Sequence, residues 1–357
     1  EMAPMWRTNV VRAVGLIGVA SRGVMSSSAS LAATSSCKMS PQISERCIGA
    51  IKAGFVADAA SMGLHWIYDV TKIKELTKTS APEFHEPPAC PFYKYEPGQL
   101  SPYGAEALGV LRVMGHSFSD KPWETQAFAV EYKKYLQGYS GRLNHASKEL
   151  IKAIDSGKVF PNCGADDSQA NSLVKVAVAV SKFQGRDDWA QHVEDVLRVH
   201  QNNDVALKFG MAAAHIVHHI LNSENATVRD SLDWAVGPLS PLDSEAKTTI
   251  ETAINFGKDK SSEEAASVFG SSCSLPGAFS VCIHLLSKEV SYETAVRENI
   301  LAGGDQCSRA VFLGACYGAV GGSSVIPSVW ASKVADMPEI DAMVRMLVDK
   351  QSPSKLY

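Results

Sequence analysis

At 357 residues the chain has room for one large hydrophobic core or two ordinary ones. A composition of 45% hydrophobic and 20% charged residues is that of a globular protein, and a net charge of −4 with no cluster of Lys and Arg excludes nucleic acid as an obligate partner. No apolar run approaches the roughly 18 residues of a membrane-crossing helix, so a soluble chain with no membrane partner is expected.

The chain opens on Glu1, which makes Met2 or Met5 the expected initiator. From Met2 to Ser44 there is no Asp or Glu, whereas Arg7, Arg12, Arg22 and Lys38 are basic and residues 26–36 are rich in Ser and Ala. That composition predicts a mitochondrial or plastid leader over residues 1–43. A secretory signal built on Ala13–Ala20, or an untargeted tail on a cytoplasmic protein, are the rival readings. With no internal repeat and no break in composition, residues 44–350 are expected to form one domain, with 351–357 as a tail. The eight cysteines show no CxxC pair and no regular spacing, so neither zinc nor a disulfide framework is expected.

Beyond residue 43, helical periodicity dominates the chain. Ile48, Ile51, Phe55 and Ala59 recur at spacings of three and four, predicting a helix over 44–62. Residues 80–103 carry six prolines and the aromatics Phe84, Phe92, Tyr93 and Tyr95, which predicts an ordered loop. Helices are then predicted over 105–117, 122–139, 145–154, 168–183, 188–200 and 204–222. Further ones cover 227–235, 244–255, 262–268, 277–286, 291–301, 308–320 and 337–348, with Ser262 and Ser291 as N-caps. Alternating strands are absent. The expected fold is an all-α, compact, multi-helix bundle.

Four segments carry residues suited to chemistry. Gly303-Gly304-Asp305-Gln306-Cys307-Ser308-Arg309 reads as a tight turn feeding a closely packed helix. Asp305 either caps that helix, joins Ser308 as an oxygen ligand for Mg²⁺, or stands at a helix-terminal phosphate site. Asp58 interrupts a small, apolar helix face and needs partners if buried. His65, Trp66 and Tyr68, just beyond that helix, are positioned to line a pocket. Asp166 and Asp167 open a predicted helix, where the macrodipole alone favours acids. In His200-Gln201-Asn202-Asn203-Asp204, Asn203 or Asp204 suits an N-cap. His215, His218 and His219 flank an apolar stripe with no Cys or carboxylate beside them to complete a zinc site. Cys307, at a predicted helix start beside Arg309, reads as either a reactive thiol or a buried inert one.

In their order along the chain these segments resemble the ADP-ribosylglycohydrolase superfamily. The resemblance spans about 48–330 and includes residues 269–276 and 326–330. It looks closest to the branch holding the jellyfish J-type crystallins and selenoprotein J, through residues 64–69, 144–148 and 303–309. It implies an all-α fold with a central cleft. It also implies Mg²⁺-assisted hydrolysis of a glycosidic bond in a small-molecule or protein-attached ADP-ribose-like ligand.

Carried over position by position, the family's Thr-Asp-Asp metal segment falls on Tyr103-Gly104-Ala105, leaving Ser101 and Glu106 as the nearby oxygens. Its Asp-x-Asp-Thr falls on Asp305-Gln306-Cys307-Ser308, and its His-x-Asp on His200-Gln201-Asn202. Its early Gly-Asp-Ala falls on Ala57-Asp58-Ala59. The resemblance therefore implies Asp58, Glu106 and Asp305 as catalytic groups, and Asp305, Ser308 and Cys307 at a degenerate magnesium site. His65, Trp66, Tyr103, Gly104, Asp166, Asp167 and His200 would bind substrate. A hydrolase, a ligand-binding pseudoenzyme and a crystallin-like structural protein all remain open at this level.

Overall fold

The computed structural model describes residues 39–118, 121–225 and 227–349, all within the unit Ser36–Tyr357. The expected tail at 351–357 and all but the end of the expected leader lie outside the described residues. Among the described residues sixteen α-helices run in chain order: α1 (Pro41–Met62), α2 (Val70–Leu76), α3 (Pro102–Arg112), α4 (Thr125–Gly138), α5 (His145–Asp155), α6 (Val176–Lys182), α7 (Trp189–His200) and α8 (Asp204–Asn222). The second half continues with α9 (Val228–Val236), α10 (Ser244–Asn255), α11 (Ser262–Phe269), α12 (Gly277–Ser287), α13 (Tyr292–Leu301), α14 (Gln306–Gly321), α15 (Ser328–Ala331) and α16 (Met337–Asp349). A π turn, Val113–Ser117, and 3₁₀ turns at Ala170–Lys175 and Gly322–Val325 complete the set. Only two isolated β-bridges occur among the described residues, so the fold is all-α as expected. None of these helices is long and apolar enough to cross a membrane.

Burial sorts the helices. α1, α12 and α14 are buried nearly all round and form the centre, whereas α5, α7 and α9 bury one stripe and expose the other face. The central pair, α1 and α14, meets backbone to backbone. A Cβ added at Gly318 would lie 2.1 Å from the Gly49 carbonyl oxygen, and one at Gly314 would lie 2.4 Å from that of Ala53. Small residues at every fourth position of α14, legible in the sequence, are thus what lets α1 close on it. Across the same centre, the buried Arg46 of α1 donates to the carbonyls of Ile220, Leu221 and Ser223 at the end of α8 and of Ala319 in α14. It satisfies orphan acceptors at a helix end that water does not reach.

Several boundaries differ from expectation, each for a local reason. The segment expected as one helix over 168–183 begins as a 3₁₀ turn at Ala170 and becomes α6 only at Val176. The Gln201 side chain holds its approach extended by donating to the carbonyls of Asp167 and Gln169. The N-cap of α11 is Ser261 rather than Ser262, with Glu264 closing a capping box; Ser291 caps α13 as expected. α2 and the single turn α15 stand outside the expected helices; Asp69 caps α2. The proline-rich segment is an ordered loop: Phe84 and Ala89 donate to the carbonyls of Ala60 and Gly63, and Glu83 takes a two-bond grip from Arg297. The three clustered histidines are aromatic packing, with His218 stacked on Trp189 at 3.8 Å and His219 on Trp234 at 4.2 Å.

Gly318→Val should therefore force α1 from α14 and lower stability by about 1–3 kcal/mol, the usual range for overpacking. A urea midpoint measured beside the native chain checks this; an unchanged midpoint would mean the contact yields.

Candidate functional site

The turn ahead of α14 builds the site. Gly303 and Gly304 both lie in the left-handed region (φ +74° and +73°), where a side chain is strained, and a Cβ on Gly304 would sit 2.0 Å from the Ser271 carbonyl oxygen. This turn docks on Trp66, itself at φ +60°, whose backbone N–H donates to the Gly304 carbonyl at 2.8 Å. Asp305 follows and is fully buried. It occupies the N-cap position without making a side-chain cap bond, so the simple capping role does not hold. Its carboxylate instead accepts from the Trp66 indole N–H at 2.8 Å and from the Ser308 hydroxyl. His65 Nδ1 accepts from the Cys307 N–H at 3.2 Å, which puts the ring proton on Nε2, 3.5 Å from Asp305. Burial raises the Asp305 pKa against the pull of Ser308, Arg309 and Trp66. Burial likewise drives His65 well below the usual imidazole range, so it is neutral.

Asp58 lies beneath the N-terminus of α3. The Ser101 N–H donates to Asp58 Oδ2 at 2.8 Å and the Ser101 hydroxyl to Oδ1 at 2.5 Å, while Ser101 Oγ caps α3 by accepting from Tyr103 and Gly104. Gly104 is where it is because a Cβ there would lie 2.1 Å from Asp58 Oδ2. Burial pushes the Asp58 carboxyl up to about 7 in spite of these donors.

One turn along α3, Glu106 enters a buried polar cluster. The Lys175 ammonium donates to its Oε2 at 3.1 Å, the Asn171 amide to both oxygens at 3.1 Å, and the Ser147 hydroxyl to Oε1 at 3.3 Å. Ser147 is also 3.0 Å from His200 Nε2. Burial, then the Lys175 charge, holds His200 well below its usual pKa. Tyr103 is buried against Asp305, Cys273 and Glu106, between the two clusters.

Above these buried groups is a more open rim. Tyr68 is 48% and Phe92 53% exposed, and Arg142 lies over the Trp66 ring at 5.3 Å. His145, whose side chain is 59% exposed, bonds through Nδ1 to the buried Asp167 at 2.8 Å. Asp167 also accepts from the Gln169 N–H, and Gln169 accepts from the Cys273 thiol. Asp166 faces outward and accepts from Asn203, which caps α8. An open cavity of about 350 Å³ lies along Leu100, Ala105, Leu108 and Arg112, away from Asp305, so cavity size does not mark this site.

Residues 39–356 match the family described as ADP-ribosylglycohydrolase. The chain belongs to the ADP-ribosylglycohydrolase family. Crystallin J1A of Tripedalia cystophora is 29% identical over 84% of this chain and 95% of its own length; crystallin J1B of the same jellyfish is 27% identical over 82% and 93%. A solved structure titled "ADP-ribosylglycohydrolase-related protein complex" superposes with a TM-score of 0.66 at 16% identity, over 87% of this chain and 99% of that one, a likeness of fold.

Magnesium, which membership in the ADP-ribosylglycohydrolase family raises, wants several hard oxygens converging on one point. Among the described residues no three His, Cys, Asp or Glu side chains do so. The expected metal ligands do not fit: the Ser308 hydroxyl donates to Asp305 itself, and Cys307 Sγ faces the Asp58 carbonyl at 3.7 Å. Cys307 is not a reactive thiol either. Burial first, and then the Asp58 and Asp305 carboxylates, raise its pKa well above the usual value, overriding the helix terminus.

The structure brings Asp305, Ser308, His65, Trp66 and Tyr103 together, and Glu106 with His200; Asp58 with Gly104 forms a separate buried joint. Sequence reasoning missed the roles of Lys175 and Asn171, and took Ser101 as an oxygen near the metal segment rather than as the partner of Asp58. The available signal was Lys175 inside the otherwise apolar stretch 173–180, four residues after Asn171, where a lysine has no reason to be unless a buried acid faces it.

Two outcomes are expected of this site. Asp58 holds its proton more tightly folded than unfolded, so its contribution is fully present below pH 3.8 and lost as pH rises through about 7. Asp58→Asn should remove this component, by up to about 1.4 kcal/mol per pH unit, visible as a flatter stability–pH curve than that of the native chain. An identical slope in both proteins would contradict the assignment. In alkylation of the folded chain, the half-buried Cys90 and Cys273 should label ahead of the buried Cys307; early labelling of Cys307 would show that its burial is not maintained.

Proposed function

We propose that this member of the family binds an ADP-ribose-like ligand, free or protein-attached, at the Trp66–Asp305 face and does not hydrolyse it by magnesium-assisted chemistry. One observation carries this. The Asp58, Glu106 and Asp305 side chains are all buried, and each carboxylate is bonded to the chain's own donors. Metal-assisted glycoside hydrolysis needs carboxylates that meet the metal, the water and the sugar, and these three meet protein. The rim supports retained binding: exposed Tyr68 and Phe92 offer ring faces for a base or sugar, and Arg142 and His145 offer donors for a diphosphate.

Thermal unfolding of the full chain with ADP-ribose, each sample with and without Mg²⁺, tests this. A ligand at about 100 times its Kd adds about 2.7 kcal/mol, or roughly 5–10 °C at the slope usual for a large domain. The rise should be the same with and without Mg²⁺, with no ADP-ribose released from an ADP-ribosylated substrate. Magnesium-dependent release would overturn it.

A structural role is the second reading, favoured by the names of the two crystallin relatives. An unchanged midpoint with ADP-ribose in both conditions would select it.

A further inference from the structure

We infer that Lys175 is a resident cation that stands in for a divalent metal ion at Glu106, closing this part of the fold to metal. This deepens the non-hydrolytic reading and rests on it. Lys175 has no exposed surface, and its ammonium is held from two sides, 3.1 Å from Glu106 Oε2 and 2.7 Å from the Asn171 carbonyl oxygen. The Glu106 carboxylate is left with little to offer a metal. Both its oxygens accept from Asn171, Oε2 also from Lys175 and Oε1 also from Ser147. A magnesium ion would have to displace a buried ammonium and an amide before it could reach Glu106 and the oxygens beside it, those of Asn171 and the Ser147 hydroxyl.

Charge balance points the same way. A buried carboxylate needs hydrogen-bond donors, a proton or a nearby positive charge, and at Glu106 and Asp305 two buried side chains supply positive charge. Lys175 serves Glu106. The fully buried Arg309 serves the Asp305 side: it donates to the carbonyls of Gly303 and Ser271, and the Asp305 N–H shares that Ser271 carbonyl. Lys175 comes from the 3₁₀ turn and Glu106 from α3, so the ammonium also ties these two segments as a bound ion would.

The test is Mn²⁺ binding to the full chain, followed by electron paramagnetic resonance, with the native chain, Lys175→Met, Glu106→Gln and the double variant. The native chain and Glu106→Gln should show the same weak, non-stoichiometric uptake. Lys175→Met, which frees Glu106, should bind Mn²⁺ at least ten-fold more tightly than the native chain, and the double variant should lose that gain. Uptake of one Mn²⁺ per native chain that Glu106→Gln abolishes would overturn the assignment, as would a folded Lys175→Met with no gain. Should Lys175→Met fail to fold, the native chain against Glu106→Gln decides: equal uptake supports the assignment and Glu106-dependent uptake overturns it. No arm contains ADP-ribose or reads turnover, so failure here is distinct from failure of ligand binding.

Discussion

Contact between the backbones of α1 and α14 is the constraint on which the rest of the structure depends. Glycines at 49, 314 and 318 remove the side chains that would hold the two helices apart. The two helices then set their chemistry in place: the turn after α1 brings His65 and Trp66 to Asp305 in the turn before α14, while Asp58 of α1 meets Ser101. The Trp66 N–H bond to Gly304 locks the two turns together. A looser pairing would let water reach Asp305 and leave the Trp66 indole without its carboxylate partner.

Having gathered three carboxylates in its interior, the fold compensates each by a different device. Asp58 accepts from the N–H and hydroxyl of Ser101, the N-cap of α3, and its burial favours the protonated form. Glu106 faces an ammonium and an amide. Asp305 takes an indole N–H and a hydroxyl with a guanidinium behind them. Ion pairs of this kind are weak net contributors to stability when compared with a well-packed apolar core, yet breaking one member leaves a buried charge unpaired. The polar interior is therefore self-contained: each charge depends on a neighbour in the same chain.

Periodicity and composition were enough to read the all-α class and most helices, because burying one stripe of a helix leaves a trace at spacings of three and four. The Gly303–Arg309 turn was equally legible, since consecutive glycines before a helix of small residues have few other uses. Misreadings fell where a long-range bond overrides local preference. The Gln201 side chain, 34 and 32 residues from the carbonyls that it holds, decides where the helix after Asp167 begins, and Trp66, 239 residues away, draws the Asp305 carboxylate away from capping its own helix.

By itself the sequence determined the family, most of the helices and the glycine turn, and it marked Asp58 as a polar residue in apolar surroundings. It could not determine what those residues face. Whether Cys307 is a reactive thiol or a buried one, and whether Glu106 meets a metal or Lys175, depends on partners 69 residues away or more along the chain. Desolvation acts only once the helices close over them. Burial and pairing are properties of the packed molecule, and they decide what each of these landmark residues faces.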